Sequence, residues 1–198
     1  MRIAGAIIAG GDASRLGGEK PFAPFAGGTL LDAVLARLAP QTDIIALNLR
    51  TDAAETAHLH YRLPILLDAP GDPGGPLAGI VAALSWAKAL GDVAWLATAP
   101  ADTPFLPEDL VAQLRAAARK GTPVYAADSE RAHYLCALWP VTALAPLREG
   151  FESGALQSLN RALETLGAVE CRVSAPPLAF FNVNTAEDLS RAEQHRRR

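Results

Sequence analysis

Along the chain, short apolar runs alternate with segments whose leucines and valines recur at helical spacing. Ile3–Ala9, Ile44–Leu49, Leu63–Leu67 and Val93–Thr98 are of strand length and bounded by turn residues, the pattern of buried parallel strands. Leu31, Val34, Leu35 and Leu38 follow Thr29, a candidate N-cap, and Leu77, Ile80, Val81 and Leu84 follow "GDPGGP". Pro107, Glu108 and Asp109 read as the first turn of another helix, where proline loses no hydrogen bond and acids meet the positive end of the dipole. After Lys120 the order changes: Pro123–Ala127 and Leu135–Trp139 predict strands, Leu156–Leu166 a helix, and Val169–Val173 another strand. "NTAEDLSRAEQ" predicts a closing helix with Thr185 and Asp188 at capping-box spacing. The alternation predicts an α/β fold, a Rossmann-like, mostly parallel open sheet with helices on both faces. No repeat, low-complexity segment or linker divides the chain, so residues 1–198 are expected to form one domain.

Composition narrows the function more than the fold. Half of the 198 residues are hydrophobic and 20% are charged, which is globular usage, and a chain of this length buries roughly 70% of its unfolded surface. The net charge of −3 argues against a general nucleic-acid or membrane-surface partner, so any anion site has to be local. Cys136 and Cys171 are the only cysteines, without CxxC spacing, and read as buried thiols rather than zinc ligands. The apolar run after Arg2 ends at Gly10–Gly11 and meets charged residues at once, which suits a strand better than a signal peptide. No stretch approaches the ~18 apolar residues of a membrane span, and the expected location is the cytoplasm. The final "HRRR" reads as a solvated tail.

The candidate chemistry gathers where the predicted strands end, the edge at which open α/β sheets bind ligands. "IIAGGDASRLGGEKPF" follows the first strand. Its glycines let backbone N–H groups approach phosphate oxygens, and Arg15 and Lys20 supply charge; a plain surface turn is the competing reading. Two familiar phosphate loops do not fit. Lys20 precedes Pro21 rather than Ser or Thr, and "GGDASRLGG" lacks the GxGxxG spacing. Asp68 ends the third strand. Asp102 ends the fourth, placed either to hold Mg²⁺ beside substrate phosphates or to cap a helix. Asn182 and Asn184, in "FFNVNTAEDL", are either ligand amides or turn residues.

These motifs, in this order, resemble the molybdenum cofactor guanylyltransferases. That family opens on "LAGGxSxRMGxDK", where this chain has "IIAGGDASRLGGEK", and the resemblance continues through "GGPLAGI", "ADTPFLP" and "FFNVNTAEDL", against "FxNVNTPEDL". It runs from about residue 3 to residue 192. The opening motif is shared with many nucleotidyltransferases, whereas its combination with "GPLAG" and "NVNT" is much more specific. The resemblance implies transfer of GMP from Mg–GTP to the terminal phosphate of molybdenum-bound molybdopterin, with release of pyrophosphate and formation of the guanine dinucleotide cofactor. It implies that the backbone of Ile8, Ala9 and Gly10 meets the guanine nucleotide, that Lys20 meets its phosphates and that Arg15 lies near the triphosphate. It further implies that Asp68 binds GTP, that Asp102 binds the metal, and that Asn182 and Asn184 serve the pterin side. Members also carry an asparagine near the end of the second strand, close to Asn48 here. The chain departs from the family at His133-Tyr134-Leu135, where "HPT" is common, at Ala186, which replaces a proline, and in "GALQSLNRALETLG".

The implied reaction needs no covalent enzyme intermediate, because the acceptor phosphate is already anionic. Positioning and charge neutralisation remain as the protein's task. No His–carboxylate pair stands out in the sequence, which fits a reaction without a general base. Three rivals stay open: CTP in place of GTP on the same pterin, another nucleotide on a sugar or alcohol phosphate, and a non-catalytic nucleotide-binding adaptor. Proteins that deliver molybdopterin, or molybdoenzymes that receive the finished cofactor, are the expected partners, with no nucleic acid and no membrane.

Overall fold

Arg2–Ile8 forms strand β1, and the chain then builds a seven-stranded sheet around it. The computed structural model describes residues 1–9, 20–49, 57, 60–69 and 75–196. Within them lie β2 (Pro24–Phe25), β3 (Gly28–Thr29), β4 (Ile44–Asn48), β5 (Ile65–Leu66), β6 (Val93–Pro100), β7 (Val124–Ala127), β8 (Ala132–Pro140) and β9 (Val169–Arg172). The helices are α1 (Leu30–Leu38), α2 (Pro76–Ala89), α3 (Leu110–Ala117), α4 (Leu144–Glu152), α5 (Leu159–Thr165) and α6 (Ala186–Arg196). The sheet order is β5-β4-β1-β6-β8-β7-β9, with β8 alone antiparallel to its neighbours; β2 and β3 form a separate small hairpin.

Alternation along β1 explains the two cores. Ile7 points into a cluster with Leu31, Val34 and Leu38 of α1 and Leu110 and Leu114 of α3. Ala4, Ala6 and Ile8 point the other way, onto Leu77, Ile80 and Leu84 of α2, Leu147 of α4 and Leu163 of α5. Both faces are therefore covered, and β1, β4 and β6 read as nearly continuous apolar runs because neither side meets water. Ala4, Ala6, Ile7, Leu47 and Leu96 are fully buried.

The helix starts follow local hydrogen-bond chemistry. Thr29 Oγ1 accepts from the Asp32 N–H at 3.0 Å while Asp32 Oδ2 accepts from the Thr29 N–H at 2.8 Å, a complete capping box. Thr185 and Asp188 repeat it at the start of α6, at 3.1 and 2.9 Å. Other boundaries move from their sequence-based positions. Pro107–Asp109 forms a turn closed by Leu110 N–H donating to the Pro107 carbonyl (3.3 Å), and α3 begins only at Leu110. Leu63–Leu67 shrinks to Ile65–Leu66, since Pro64 has no N–H to give the ladder, although its carbonyl accepts from Leu47. Leu156 packs on Gly150 and donates to its carbonyl, so α5 starts at Leu159, after the Ser158 cap. Helix α4 is absent from the sequence-based reading, although Leu144, Leu147 and Phe151 recur at helical spacing and form its buried face.

Strand β8 holds the irregularity that shapes the site. Tyr125 pairs with Ala137, but the next residue, Ala126, pairs with His133, so Tyr134, Leu135 and Cys136 are squeezed out of the ladder. The freed Leu135 carbonyl accepts from Thr98 Oγ1 at 2.8 Å, and that hydroxyl accepts in turn from the indole N–H of Trp139 at 3.1 Å. A buried threonine and tryptophan thus satisfy the backbone group the bulge would leave unpaired.

Candidate active site

The carboxyl ends of β1 and β6 lie side by side, with the Ala101 N–H donating to the Ile8 carbonyl at 3.2 Å. Directly beyond them, Lys20 Nζ donates to Asp102 Oδ2 at 2.6 Å and to Asn184 Oδ1 at 2.7 Å. Lys20 and Asp102 are only 16% and 19% exposed at their side chains, so water screens this pair far less than an ordinary surface salt bridge. Three distant segments meet here: the turn Lys20–Phe22, the end of β6, and the chain leading into α6. The Val183 N–H fastens the last of these by donating to the Asp102 carbonyl at 2.8 Å.

Two lobes of one cleft share Pro76, Pro100, Asp102 and Leu135. The first lobe, of about 250 Å³, is lined by Ile8, Ala9, Lys20 and Asn184. The second, of about 280 Å³, is lined by Thr103, Arg131, His133, Phe180 and Asn182, with bulge residues Tyr134–Cys136 as its wall. Asn182 and Asn184, paired in the sequence-based reading, therefore divide between the lobes. Thr103 Oγ1 donates to Asn182 Oδ1 at 3.1 Å and lies 3.3 Å from Asp102 Oδ1, which ties the second lobe to the shared carboxylate.

Helix α2 begins at this cleft. Gly75 takes φ +85°, a left-handed conformation that glycine adopts without strain, and Pro76 follows at the first helical position. The first-turn amides lack helical partners and carry the positive end of the dipole, so this end of α2 favours phosphate.

Asp68 lies farther along the same edge, beyond β5, and outside both lobes. Asn48, at the end of β4, donates through Nδ2 to Asp68 Oδ1 (3.0 Å) and to the Leu66 carbonyl (3.2 Å). Both partners are acceptors, which fixes the amide orientation. Asn48 Oδ1 is buried against Gly79 of α2 and has no partner among the described residues. The sequence held two signals for this pair: a polar residue closing the otherwise apolar "IIALN", and the family resemblance, which implies an asparagine close to Asn48 and a GTP-binding role for Asp68. The strands that precede Asp68 and Asp102, β5 and β6, are three strand spacings apart in the sheet, about 14 Å. Gly10 and Arg15 lie outside the described residues.

One sequence-based expectation is corrected. A His–carboxylate pair does exist, with His133 Nε2 2.8 Å from Asp128 Oδ2. It forms because the β8 bulge and the β7–β8 turn bring together residues whose sequence shows no motif. Burial alone would raise the Asp128 carboxyl, but hydrogen bonds from the Arg131 N–H, the His133 ring and the Glu130 N–H outweigh it and hold the group at about 2. Burial lowers the His133 imidazole below its ordinary value, with Asp128 offsetting part of the effect. Cys136 in the second lobe is not a nucleophile: burial pushes its thiol far up, and the Asp102 carboxylate adds to the shift.

The Asp102 carboxylate, with Lys20 on Oδ2 and the Thr103 hydroxyl 3.3 Å from Oδ1, has the oxygen donors that suit a hard oxygen-seeking cation, which takes its other ligands from phosphates and water. Among the described residues no group of three or more His, Cys, Asp or Glu side chains forms a closed cage for a metal. Among them, too, no helix is long and apolar enough to cross a membrane.

Known proteins share both sequence and architecture with this chain. A molybdenum cofactor guanylyltransferase of Rhodobacter capsulatus is 43% identical over 198 residues, which is 100% of this chain and 98% of the relative. One from Rhodopseudomonas palustris (strain BisB5) is 40% identical over 194 residues, covering 95% and 91% of the two chains. The crystal structure of molybdopterin-guanine dinucleotide biosynthesis protein A from Archaeoglobus fulgidus superposes with a TM-score of 0.78 at 25% identity, covering 98% of each chain. Residues 5–171 match the family model of the MobA-like NTP transferase domain, and the chain belongs to that family.

Proposed function

We propose that this protein is a molybdenum cofactor guanylyltransferase, which transfers GMP from GTP to the terminal phosphate of molybdenum-bound molybdopterin and releases pyrophosphate. The observation that carries the reading is the two-lobed cleft hinged on Asp102, with Lys20 in one lobe and an amide- and arginine-bearing lobe on the other side. Two substrates that must meet at one phosphorus need such a shared centre. The relatives at 43% and 40% identity over nearly their whole length carry that activity in their names.

In this reading the nucleotide lies along the carboxyl edge. Asp68, held by Asn48, accepts hydrogen bonds from guanine N–H groups, while the backbone of Ile8, Ala9 and Gly10 lines the nucleoside. The triphosphate reaches Lys20 and the start of α2, with Arg15 as a further cation. Lys20 exchanges its bond to Asp102 for phosphate oxygens and offsets the charge that grows on departing pyrophosphate. Asp102, with Thr103 beside it, would hold Mg²⁺; when bound, the ion neutralises phosphate charge and polarises the phosphoryl oxygens. Asn182 and Asn184 orient the acceptor from either side of Asp102, so that its phosphate oxygen faces the α-phosphorus in line with the leaving group. The acceptor oxygen is already anionic, so no residue needs to remove a proton.

We place the protein in the cytoplasm, as one domain over residues 1–198, receiving molybdopterin from a delivery protein and passing the finished cofactor to molybdoenzymes. Thermal denaturation with Mg²⁺ and each of GTP, CTP, ATP and UTP, followed by pyrophosphate detection with molybdenum-bound molybdopterin, tests the reading. A GTP-selective rise in Tm with turnover is expected. A CTP-selective rise moves the assignment to a sibling cytidylyltransferase, and binding without turnover moves it to an adaptor.

A further inference from the structure

The Asp128–His133 pair has no place in the phosphoryl chemistry, yet it is fixed from several sides. Asp128 Oδ1 accepts from the N–H groups of Glu130 (2.7 Å) and Arg131 (2.9 Å), which leaves Oδ2 facing His133 Nε2 at 2.8 Å. The His133 ring stacks on Phe180, with centroids 4.2 Å apart and planes inclined by 16°. It forms part of the wall of the second lobe, on the far side from Lys20.

An ionised carboxylate can only accept, so Nε2 carries the ring proton and donates it to Asp128. Burial disfavours a second proton, and Nδ1 keeps its lone pair. Nδ1 has no protein partner among the described residues. It is not sealed in the core either, since Asn48 Oδ1 is the one fully buried side-chain polar atom there without a partner. The pair thus leaves Nδ1 as a hydrogen-bond acceptor whose tautomer Asp128 sets, on a ring that lines both the second lobe and a neighbouring cavity bordered by Asp128 and Arg131. Phe180, Leu135 and Leu159 give the same lobe an apolar lining suited to a flat ring.

We propose that His133 is a specificity-determining residue of the second lobe, where Nδ1 accepts a hydrogen bond from an amino or ring N–H edge of the planar heterocyclic acceptor. This rests on the reading that this lobe takes the pterin substrate. Asp128 is then a positioning residue that selects the tautomer, and Phe180 holds the ring plane. A purely structural role would act through the stack on Phe180, which leads to Asn182.

Two substitutions separate these roles. His133→Phe keeps an aromatic ring on Phe180 but has no acceptor atom. Asp128→Asn keeps an oxygen for the Glu130 and Arg131 N–H groups and turns its NH₂ toward Nε2, which moves the ring proton to Nδ1. Both variants are assayed with GTP, Mg²⁺ and molybdenum-bound molybdopterin, with GTP affinity measured separately by calorimetry. The expected result is a rise of about tenfold in the KM for the pterin substrate in each variant, with kcat and GTP affinity near wild type. An unchanged pterin KM in either variant overturns the inference while leaving the reaction standing. If His133→Phe does not fold, Asp128→Asn decides alone. A wild-type protein that releases no pyrophosphate overturns the functional reading, and the inference falls with it.

Discussion

Gly79→Ala sets helix propensity directly against packing. In an exposed helix this change stabilises by about 1 kcal/mol, because alanine loses less backbone freedom on folding than glycine. Here the added Cβ would overlap Asn48 Oδ1, lie 2.9 Å from Asn48 Cγ and 3.1 Å from Ile8 Cγ2. Overpacking of this kind costs about 1–3 kcal/mol. Moving Asn48 aside would also disturb its bonds to Leu66 and Asp68, worth about 1 kcal/mol each. The balance is a loss of about 2 kcal/mol, or about 4–8 °C in Tm for a chain of this size. Urea and thermal denaturation would measure it. Because Asn48 holds Asp68, calorimetric affinity for GTP should fall together with stability. Asn48→Ala in the same background should absorb much of the clash, leaving the two substitutions non-additive by about 1 kcal/mol or more. A Tm at or above wild type for Gly79→Ala, or strict additivity with Asn48→Ala, would refute the reasoning.

Asp102→Ala should abolish pyrophosphate release while the protein stays folded, and near-normal turnover would remove Asp102 from the site. Lys20→Ala should cost at least about tenfold in rate, about 1.4 kcal/mol of transition-state stabilisation, as read by single-turnover kinetics. Thr29→Ala removes the side-chain half of the α1 capping box and should lower stability by about 1 kcal/mol in urea titrations. His133 binds its proton more weakly in the folded than in the unfolded chain, so its contribution to stability is present above the ordinary histidine pKa and is lost as pH falls through the lowered folded value. Asp128 adds stability that is complete above the ordinary carboxylate range and lost as pH falls toward about 2. Urea midpoints of His133→Phe should therefore depend less on pH than wild type just below about pH 6.5, and parallel curves would contradict the assignment.

Several residues of the candidate site and of the helix caps were legible because their chemistry is local. Lys20 and Asp102 stand in motifs at strand ends, and the structure brings them to 2.6 Å. Thr29 and Thr185 announce their caps through an acid three residues later, and both capping boxes form. The Asn48–Asp68 bond was harder to see. It spans 20 residues and depends on β4 and β5 pairing in one register, Asn48 beside Leu66. His133 and Asp128 are near in sequence, but only the bulge turns the ring onto Phe180, 47 residues later. Spacing alone also could not divide Asn182 from Asn184, because the division depends on where Thr103 and Lys20 stand.

The order of apolar runs, their lengths and the caps between them determined an α/β sheet covered on both faces, because burial and hydrogen-bond satisfaction act over a few residues at a time. Those same terms placed the polar residues at the strand ends. Tertiary structure decided the rest: the antiparallel insertion of β8, the three residues left out of its ladder with β7, and the closure of Lys20, Asp102 and Asn184 around one point. Each of these requires segments up to 164 residues apart to meet, and side-chain geometry across such distances is fixed by packing rather than by any neighbour in the sequence.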